Sequence, residues 1–233
     1  MYQESTHPFA VAQAGGNAKA AFIKKTYAHL AGAVLAFIGV EIALFSTPIA
    51  GKIAALVFES GSIGWLGFLG AFMLSGWMAR SMAVSGSRAT QYAGLGLYVV
   101  AEALIFVPLL YLAVYYSSPE VLTNAVIMTL TLFAGLTATV FITRTDFSFL
   151  KTALTVGGFV AIGAILCGAL LGFNLGLWFS VAMIVFACAA ILYDTSTILH
   201  HYHEDQYVGA SLQLFASVAL LFWYILRLLM SRD

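Results

Sequence analysis

Long apolar runs separated by short polar segments dominate the pattern of this chain. A helix needs about 20 apolar residues to cross the hydrocarbon core of a bilayer, and seven runs are long enough. They are continuous rather than alternating with a period of two, so they predict helices and not the strands of a barrel. The predicted spans are residues 27–47, 63–84, 91–116, 122–143, 152–172, 176–199 and 209–230.

The connections between these runs are short and mostly polar. The first contains Ser46, Thr47 and Pro48 and carries Lys52 and Glu59, and we predict it as a loop. The weakest division is the uncharged segment around Asn174, but residues 152–199 are too many for a single crossing. Small residues in this part of the chain favour close helix packing; they include Gly157, Gly158, Gly163 and Gly168.

Two parts of the chain are distinguished. Residues 1–20 are polar and rich in glycine and alanine, lack a cleavable signal pattern, and are predicted to be a flexible cytoplasmic tail. Residues 21–233 form one transmembrane domain. Counting Lys and Arg outside the last span, seven lie on the N-terminal side and two on the other, which predicts a cytoplasmic N-terminus.

Composition supports a membrane protein and excludes several functions. The chain is 62% hydrophobic and 9% charged, against about 25% charged residues in a soluble domain. The formal net charge is zero, so no nucleic-acid partner is indicated. Cys167 and Cys188 lie in apolar runs without metal-ligand spacing, as expected for small buried hydrophobes. We therefore predict an all-α integral membrane protein whose partner is the lipid bilayer, without a cofactor; its oligomeric state stays open.

Four ionisable residues inside the predicted spans stand out as site candidates. They are Glu41, Glu102, Asp194 and Arg227. Such residues are costly in a bilayer and usually face the bundle interior or an ion pathway. For Glu41 and Glu102 an alternative stays open, because either carboxyl could lie near an interface and reach water.

Asp194 is the strongest site candidate. Its helix joins the last span through a short loop, so the two are antiparallel neighbours. The last span carries a polar stripe of Gln213, Ser217, Tyr224 and Arg227, which fall on one helical face. Asp194 and Ser217 are predicted to lie at similar depth. Asp194 is then either a proton- or cation-responsive group, or a structural lock paired with Arg227 or local donors.

Two weaker patterns accompany this one. Gln91, Tyr98 and Glu102 form a second polar stripe in the third span. His200, His201 and His203 form a cluster that is either a solvated loop or a titrating or metal-binding group.

Enzymatic motifs are missing from the sequence. We find no HExxH, no GxSxG and no paired aspartates of the intramembrane protease type. Ser217 has no histidine in the same half of the bilayer. The sequence therefore predicts that the protein is not an enzyme.

Three segments carry a resemblance to a known family. They are residues 145–150 (TDFSFL), 190–196 (AILYDTS) and 210–215 (ASLQLF), the last leading into 221–229 (LFWYILRLL). With the seven spans, they resemble the Bax inhibitor-1, or transmembrane Bax-inhibitor-motif, family in its bacterial branch, over nearly all the chain beyond residue 20.

The resemblance implies a seven-helix bundle with a central last helix in the bacterial inner membrane. It implies a pH-dependent calcium leak gated by two aspartates near an arginine. Asp194 matches the first aspartate and Arg227 the arginine, whereas Ser217 stands at the place of the second aspartate. A single carboxylate lacks the coupled titration of a pair. Because Ca²⁺ prefers six to eight oxygens, Asp194 offers it only a weak, transient site.

Two functions are therefore compared. The first is a pH-sensitive calcium leak channel in which Asp194 titrates, with Arg227, Ser217, Glu102 and Glu41 as further responsive residues. The alternative is a membrane-embedded modulator that binds a protease of the FtsH type without transporting ions. The resemblance implies both, and the serine at position 217 favours the second.

Overall fold

The computed structural model describes residues 16–172 and 175–232, and this part of the chain is helical without a strand. Its helices are α1 (Gly16–Phe45), α2 (Ile49–Glu59), α3 (Gly61–Ala83), α4 (Arg88–Tyr116), α5 (Pro119–Thr143), α6 (Leu150–Leu171), α7 (Gly176–His200) and α8 (Tyr207–Met230).

Seven of these helices are long and apolar enough to cross a membrane, as the hydrophobic pattern predicts. The exception is α2, whose 11 residues extend roughly 16 Å and cannot cross. It lies where we predict a loop, so that prediction is wrong. Its Ala50, Ala54 and Val57 are buried, and α2 packs against α4, α3 and α1.

The start of the first span differs from the prediction, whereas the division between the fifth and sixth spans agrees with it. The first span is predicted from residue 27, but α1 begins at Gly16. The predicted tail lies mostly outside the described residues, and its residues 16–20 are helical. Gly172 ends α6 in a left-handed conformation, and the next described helix begins at Gly176. Asn174, the predicted centre of that connection, lies outside the described residues.

Seven crossings place the beginning of α1 and the end of α8 at opposite ends of the bundle. We call the end that carries loops 84–87, 144–149 and 201–206 the N-side, because α1 also begins there. The opposite end, where α2 lies and α8 finishes, is the C-side. Hydrogen bonds link the N-side loops to helix ends: Asp205 to Arg88 at the start of α4, and the 144–149 loop to Ser196 near the end of α7.

The centre of the bundle is formed by α4 and α8. The last helix packs against α1, α3, α4, α5 and α7, which confirms its predicted central position. Within the apolar window of each helix, 61% of the α4 residues and 50% of the α8 residues are buried. Helix α6 lies at the periphery, with Ala161 as its buried residue. Glu102 of α4 and Ser217 of α8 therefore face protein.

Aromatic side chains fill the middle of this centre. The Phe37 ring of α1 lies 5.2 Å from the Phe106 ring and 6.1 Å from the Phe215 ring, centroid to centroid. We call these three residues the aromatic layer. It is extended toward the N-side by Tyr98, 6.1 Å from Phe215, and toward the C-side by Trp223, 5.0 Å from Phe106.

Candidate functional site

Asp194 lies in the interior of the N-side half with both carboxylate oxygens bonded. Its side chain is almost fully buried. The Gln213 amide donates a hydrogen bond to Oδ1 at 3.0 Å, and the Ser217 hydroxyl donates one to Oδ2. Asp194 is thus held by two neutral donors on successive turns of α8. Gln213 and Ser217 are therefore the kind of local donors to which the structural-lock alternative pairs Asp194.

Antiparallel packing of α7 and α8 explains this meeting. Asp194 lies six residues before the end of α7 at residue 200, and Gln213 lies six residues after the start of α8 at residue 207. At 1.5 Å per residue both are roughly 9 Å below the N-side loop. On the α7 face beneath Asp194, Ala187 and Ile191 are fully buried, so the two helices pack closely there.

A cation also acts on Asp194. The guanidinium of Arg80 in α3 interacts electrostatically with the carboxyls of Asp194 and Glu102. It also interacts with the hydroxyl of Tyr98. We call these residues the polar cluster: Arg80, Tyr98, Glu102, Asp194, Gln213 and Ser217. Side chains from four helices, α3, α4, α7 and α8, thus meet in one region of the N-side half.

The sequence does not single out Arg80 as a site residue. It lies within the predicted span 63–84, and the charge count that predicts the orientation places it with the basic residues of the N-terminal side. The signal for Arg80 in the sequence is its position four residues after Gly76 and next to Ala79, both of which are buried. Those small residues indicate the α3 face that meets α4, and an arginine beside them can reach the interior.

Arg227 is not part of this cluster. It follows Ser217 by ten residues on the same helix, a separation of roughly 15 Å along the axis, and lies in the C-side half. A pairing of Asp194 with Arg227 is therefore wrong. The aromatic part of the predicted stripe continues toward α7, where the Tyr224 ring lies 5.9 Å from Phe179.

The two glutamates lie in different regions. Glu102 is buried in α4 within the polar cluster. Glu41 is buried in α1 near its C-side end, and neither of its carboxyl oxygens has a hydrogen-bond partner among the described residues. The open question of interface or interior is thus answered as interior for both. Glu41 lies one turn beyond Phe37, so the aromatic layer separates it from the polar cluster.

A second polar arrangement fastens the 144–149 loop over the end of α7. Ser196 Oγ accepts a hydrogen bond from the Phe147 amide at 2.8 Å and lies 3.3 Å from Asp146 Oδ1. The Asp146 carboxylate also accepts a hydrogen bond from the Ser148 amide at 2.9 Å and lies 3.3 Å from His201 Nε2. Partial burial opposes ionisation, but the Ser148 bonds and His201 outweigh it and lower the pKa of Asp146.

The histidines do not form a metal cluster in this structure. Within residues 16–172 and 175–232, no three His, Cys, Asp or Glu side chains come together to hold a metal ion. His200 Nδ1 lies 2.9 Å from the Ser196 carbonyl oxygen, and His201 pairs with Asp146.

Asp194 with Ser217 and Gln213 has fewer oxygens than the six to eight that Ca²⁺ prefers. The polar cluster around Asp194 therefore suits proton transfer or a transient cation better than tight Ca²⁺ binding.

Comparisons with known proteins give one family match and two relatives. The model of the family described as "Inhibitor of apoptosis-promoting Bax1" matches residues 19–233. An uncharacterized protein of Pseudomonas aeruginosa is 33% identical over 166 residues, which are 70% of this chain and 71% of that protein. Bax inhibitor 1 of Schizosaccharomyces pombe is 30% identical over 125 residues, 50% of this chain and 45% of that protein. No solved structure matches.

Proposed function

This chain belongs to the Bax inhibitor-1 family of membrane proteins, and from that premise we propose that it is a pH-sensitive cation leak channel in which Asp194 is the titrating group. The observation that carries the proposal is the buried carboxylate of Asp194, held by Ser217 and Gln213 and acted on by Arg80. Ionisable groups inside a membrane protein commonly mark proton or ion routes. Calcium is the cation that the family resemblance suggests.

Protonation of Asp194 gives a direct mechanism for opening. Hydrogen bonds to an ionised carboxylate are stronger than those to a neutral acid, so a proton on Asp194 weakens its bonds from Ser217 and Gln213. The same proton removes its attraction to Arg80. Because the hydrogen bonds connect α7 with α8 and the attraction acts between α7 and α3, their loss loosens the N-side half of the bundle.

This proposal is tested by measuring calcium flux into dye-loaded liposomes between about pH 6 and 8. That range brackets the pKa of histidine and of raised carboxylates. Wild type is expected to show flux that changes with pH, and Asp194→Asn to lose that change. Asp205→Asn is the matched control, because Asp205 is exposed in the N-side loop. Unchanged flux and pH dependence in Asp194→Asn would contradict the role of Asp194.

A second candidate function is supported by Ser217. Its hydroxyl donates to Asp194 where the family resemblance places a second aspartate, so this chain has one carboxylate at the gate instead of two. One carboxylate with two neutral donors also makes a sound structural lock. The alternative is therefore a modulator that binds a membrane-anchored protease of the FtsH type and conducts no ions.

Copurification from solubilised bacterial membranes distinguishes the alternative. If this chain is a modulator, a tagged copy retains the protease, while the same purified chain gives no flux above empty liposomes. Asp194→Asn then lowers the melting temperature without removing an ionic current. Flux without a retained protease would reject the modulator function.

A further inference from the structure

A groove on the outer face of the bundle lies between α1 and α4. Its volume is about 450 Å³, and it is open on its outer side. It runs from His29 and Tyr92 at the N-side to Val40 and Val100 near the middle of the bundle. The separation of 11 residues between positions 29 and 40 corresponds to roughly 16 Å, or about half of a 30 Å hydrocarbon core.

Both walls of the groove follow the same order from the surface inward. On each helix a cation lies one turn above the groove, and the groove lining then begins with a ring that can hydrogen-bond and continues with a glycine. The order is Lys25, His29 and Gly32 on α1, and Arg88, Tyr92 and Gly96 on α4. A Cβ added at Gly32 or at Gly96 would meet no atom within 4 Å. The glycines therefore leave open space that helix packing does not use.

The mouth of the groove is polar and carries positive charge. Lys25 Nζ and Arg88 Cζ lie 5.4 Å and 4.6 Å from the centre of the same Tyr207 ring, so the two cations converge. Arg88 pairs with Asp205 at 2.7 Å, whereas Lys25 has no ion pair within the described part of the chain. Two cations and one anion leave one positive charge. His29 Nε2 lies 3.0 Å from the Tyr92 hydroxyl just below.

We propose that this groove binds one anionic phospholipid of the N-side leaflet, with its phosphate at Lys25 and Arg88 and one acyl chain along Gly32 and Gly96. The combination of a cationic mouth with an apolar interior matches a phospholipid. A membrane helix is about 10 Å across and does not fit a groove of this volume. Anionic headgroups are favoured because each basic residue near a membrane surface attracts them. The site does not depend on the leak function.

Two pairs of variants separate the headgroup from the chain site. Lys25→Gln removes the charge at the mouth, and Lys24→Gln removes the neighbouring exposed charge, which points about 100° away around the helix. Gly32→Leu fills the groove, and Gly39→Leu makes the same change on α1 outside it, where an added Cβ also meets nothing within 4 Å.

The readout is native mass spectrometry of the purified protein from micelles with equal phosphatidylglycerol and phosphatidylcholine. Wild type is expected to retain phosphatidylglycerol preferentially. Lys25→Gln should lower that preference about fivefold, the effect of one basic residue near a membrane surface, and Lys24→Gln should not. Gly32→Leu should lose the bound lipid, and Gly39→Leu should keep it.

Three results would overturn the proposal. Equal retention of both lipids by wild type would reject the anionic headgroup. The same loss of preference in Lys24→Gln and Lys25→Gln would indicate diffuse surface charge. Retention of phosphatidylglycerol by Gly32→Leu at the wild-type level would reject the groove as the chain site.

Discussion

Gly94 is a residue at which two helices approach each other closely. A Cβ placed there would lie 2.7 Å from the Ala79 carbonyl oxygen and 2.8 Å from Met82 Cβ, distances that side chains cannot accept. Glycine is required because the backbones of α3 and α4 meet at this point. This contact also sets the position of Arg80, the residue after Ala79, relative to the polar residues of α4.

We expect Gly94→Ala to lower stability by about 1–3 kcal/mol, the usual effect of overpacking. The melting temperature of the detergent-solubilised protein measures this. Gly96→Ala is the matched control, since an added Cβ there meets nothing within 4 Å; it should stabilise by about 0.5–1 kcal/mol through helix propensity. Equal melting temperatures for the two variants would show that α3 and α4 are less closely packed.

Residue patterns predicted part of the polar cluster. Two features of the sequence predict that Ser217 and Gln213 meet the Asp194 carboxylate. One is the face of α8 on which both lie, and the other is their distance from the α7–α8 loop. Both follow from helix geometry. Arg80 was not predicted, since its role depends on how close α3 comes to α4. That approach is set at Gly94, whereas the glycines noted in the sequence lie on the peripheral α6, where Gly157 faces Phe186.

The 144–149 loop is the element that covers the N-side end of α7. Its amide at Phe147 and its carboxylate at Asp146 both use Ser196, and Asp146 also lies beside His201. A loop held by three such contacts is more protected from exchange than one held by its own backbone. Ser196 lies two residues beyond Asp194, so this loop and the candidate site share one helical turn.

We expect Asp146→Ala to increase amide hydrogen exchange in residues 145–150, because the Ser148 amide loses its acceptor. Exchange measured by mass spectrometry on the purified protein checks this. Asp205→Ala, which breaks the Arg88 pair in another N-side loop, serves as the control and should leave residues 145–150 unchanged. If Asp146→Ala also leaves them unchanged, Ser196 alone holds the loop.

The pH dependence of this loop follows from the lowered pKa of Asp146. A carboxyl whose pKa is lower in the folded state stabilises that state above its unfolded pKa of about 3.9, and the stabilisation is lost as pH falls through the folded value. Protection of residues 145–150 should therefore persist from neutral pH to about pH 4 and fall below it. Asp146→Ala should not show this fall.

Helix lengths explain which elements could be predicted. The seven spans each present a continuous apolar run, and that signal does not depend on neighbours. Helix α2 has 11 residues with Lys52 and Glu59 near its ends, so its pattern is also that of a polar connection. Its helical state depends on burying Ala50, Ala54 and Val57 against other helices. The hydropathy of the segment alone does not reveal that burial.

At the scale of the whole molecule, the bundle is divided into two halves. The polar cluster occupies the N-side half, and Glu41 is buried in the C-side half. Between them lies the aromatic layer of Phe37, Phe106 and Phe215. Glu102 precedes Phe106 by one turn on α4, and Glu41 follows Phe37 by one turn on α1. A cation or proton that crosses from one acid to the other therefore has to pass these rings.

Under the proposed leak function, the aromatic layer is the barrier of the closed channel, because apolar constrictions exclude water and with it ions. We expect Phe37→Ala to raise calcium flux several-fold at the pH where wild type is closed. The increased flux should not change with pH, since the barrier is then open whatever the state of the carboxylate. Liposome flux, scaled to the amount of folded protein, measures both.

Phe159→Ala is the matched control, because Phe159 is exposed on the peripheral α6 and the same atoms are removed far from the layer. Phe37→Leu supplies a variant that keeps most of the volume and should keep the barrier. Flux in Phe37→Ala equal to wild type, with an unchanged melting temperature, would contradict a barrier at these rings. If flux in Phe37→Ala instead changed with pH as in wild type, opening would depend on Asp194 even without the ring, and the barrier would lie at the polar cluster.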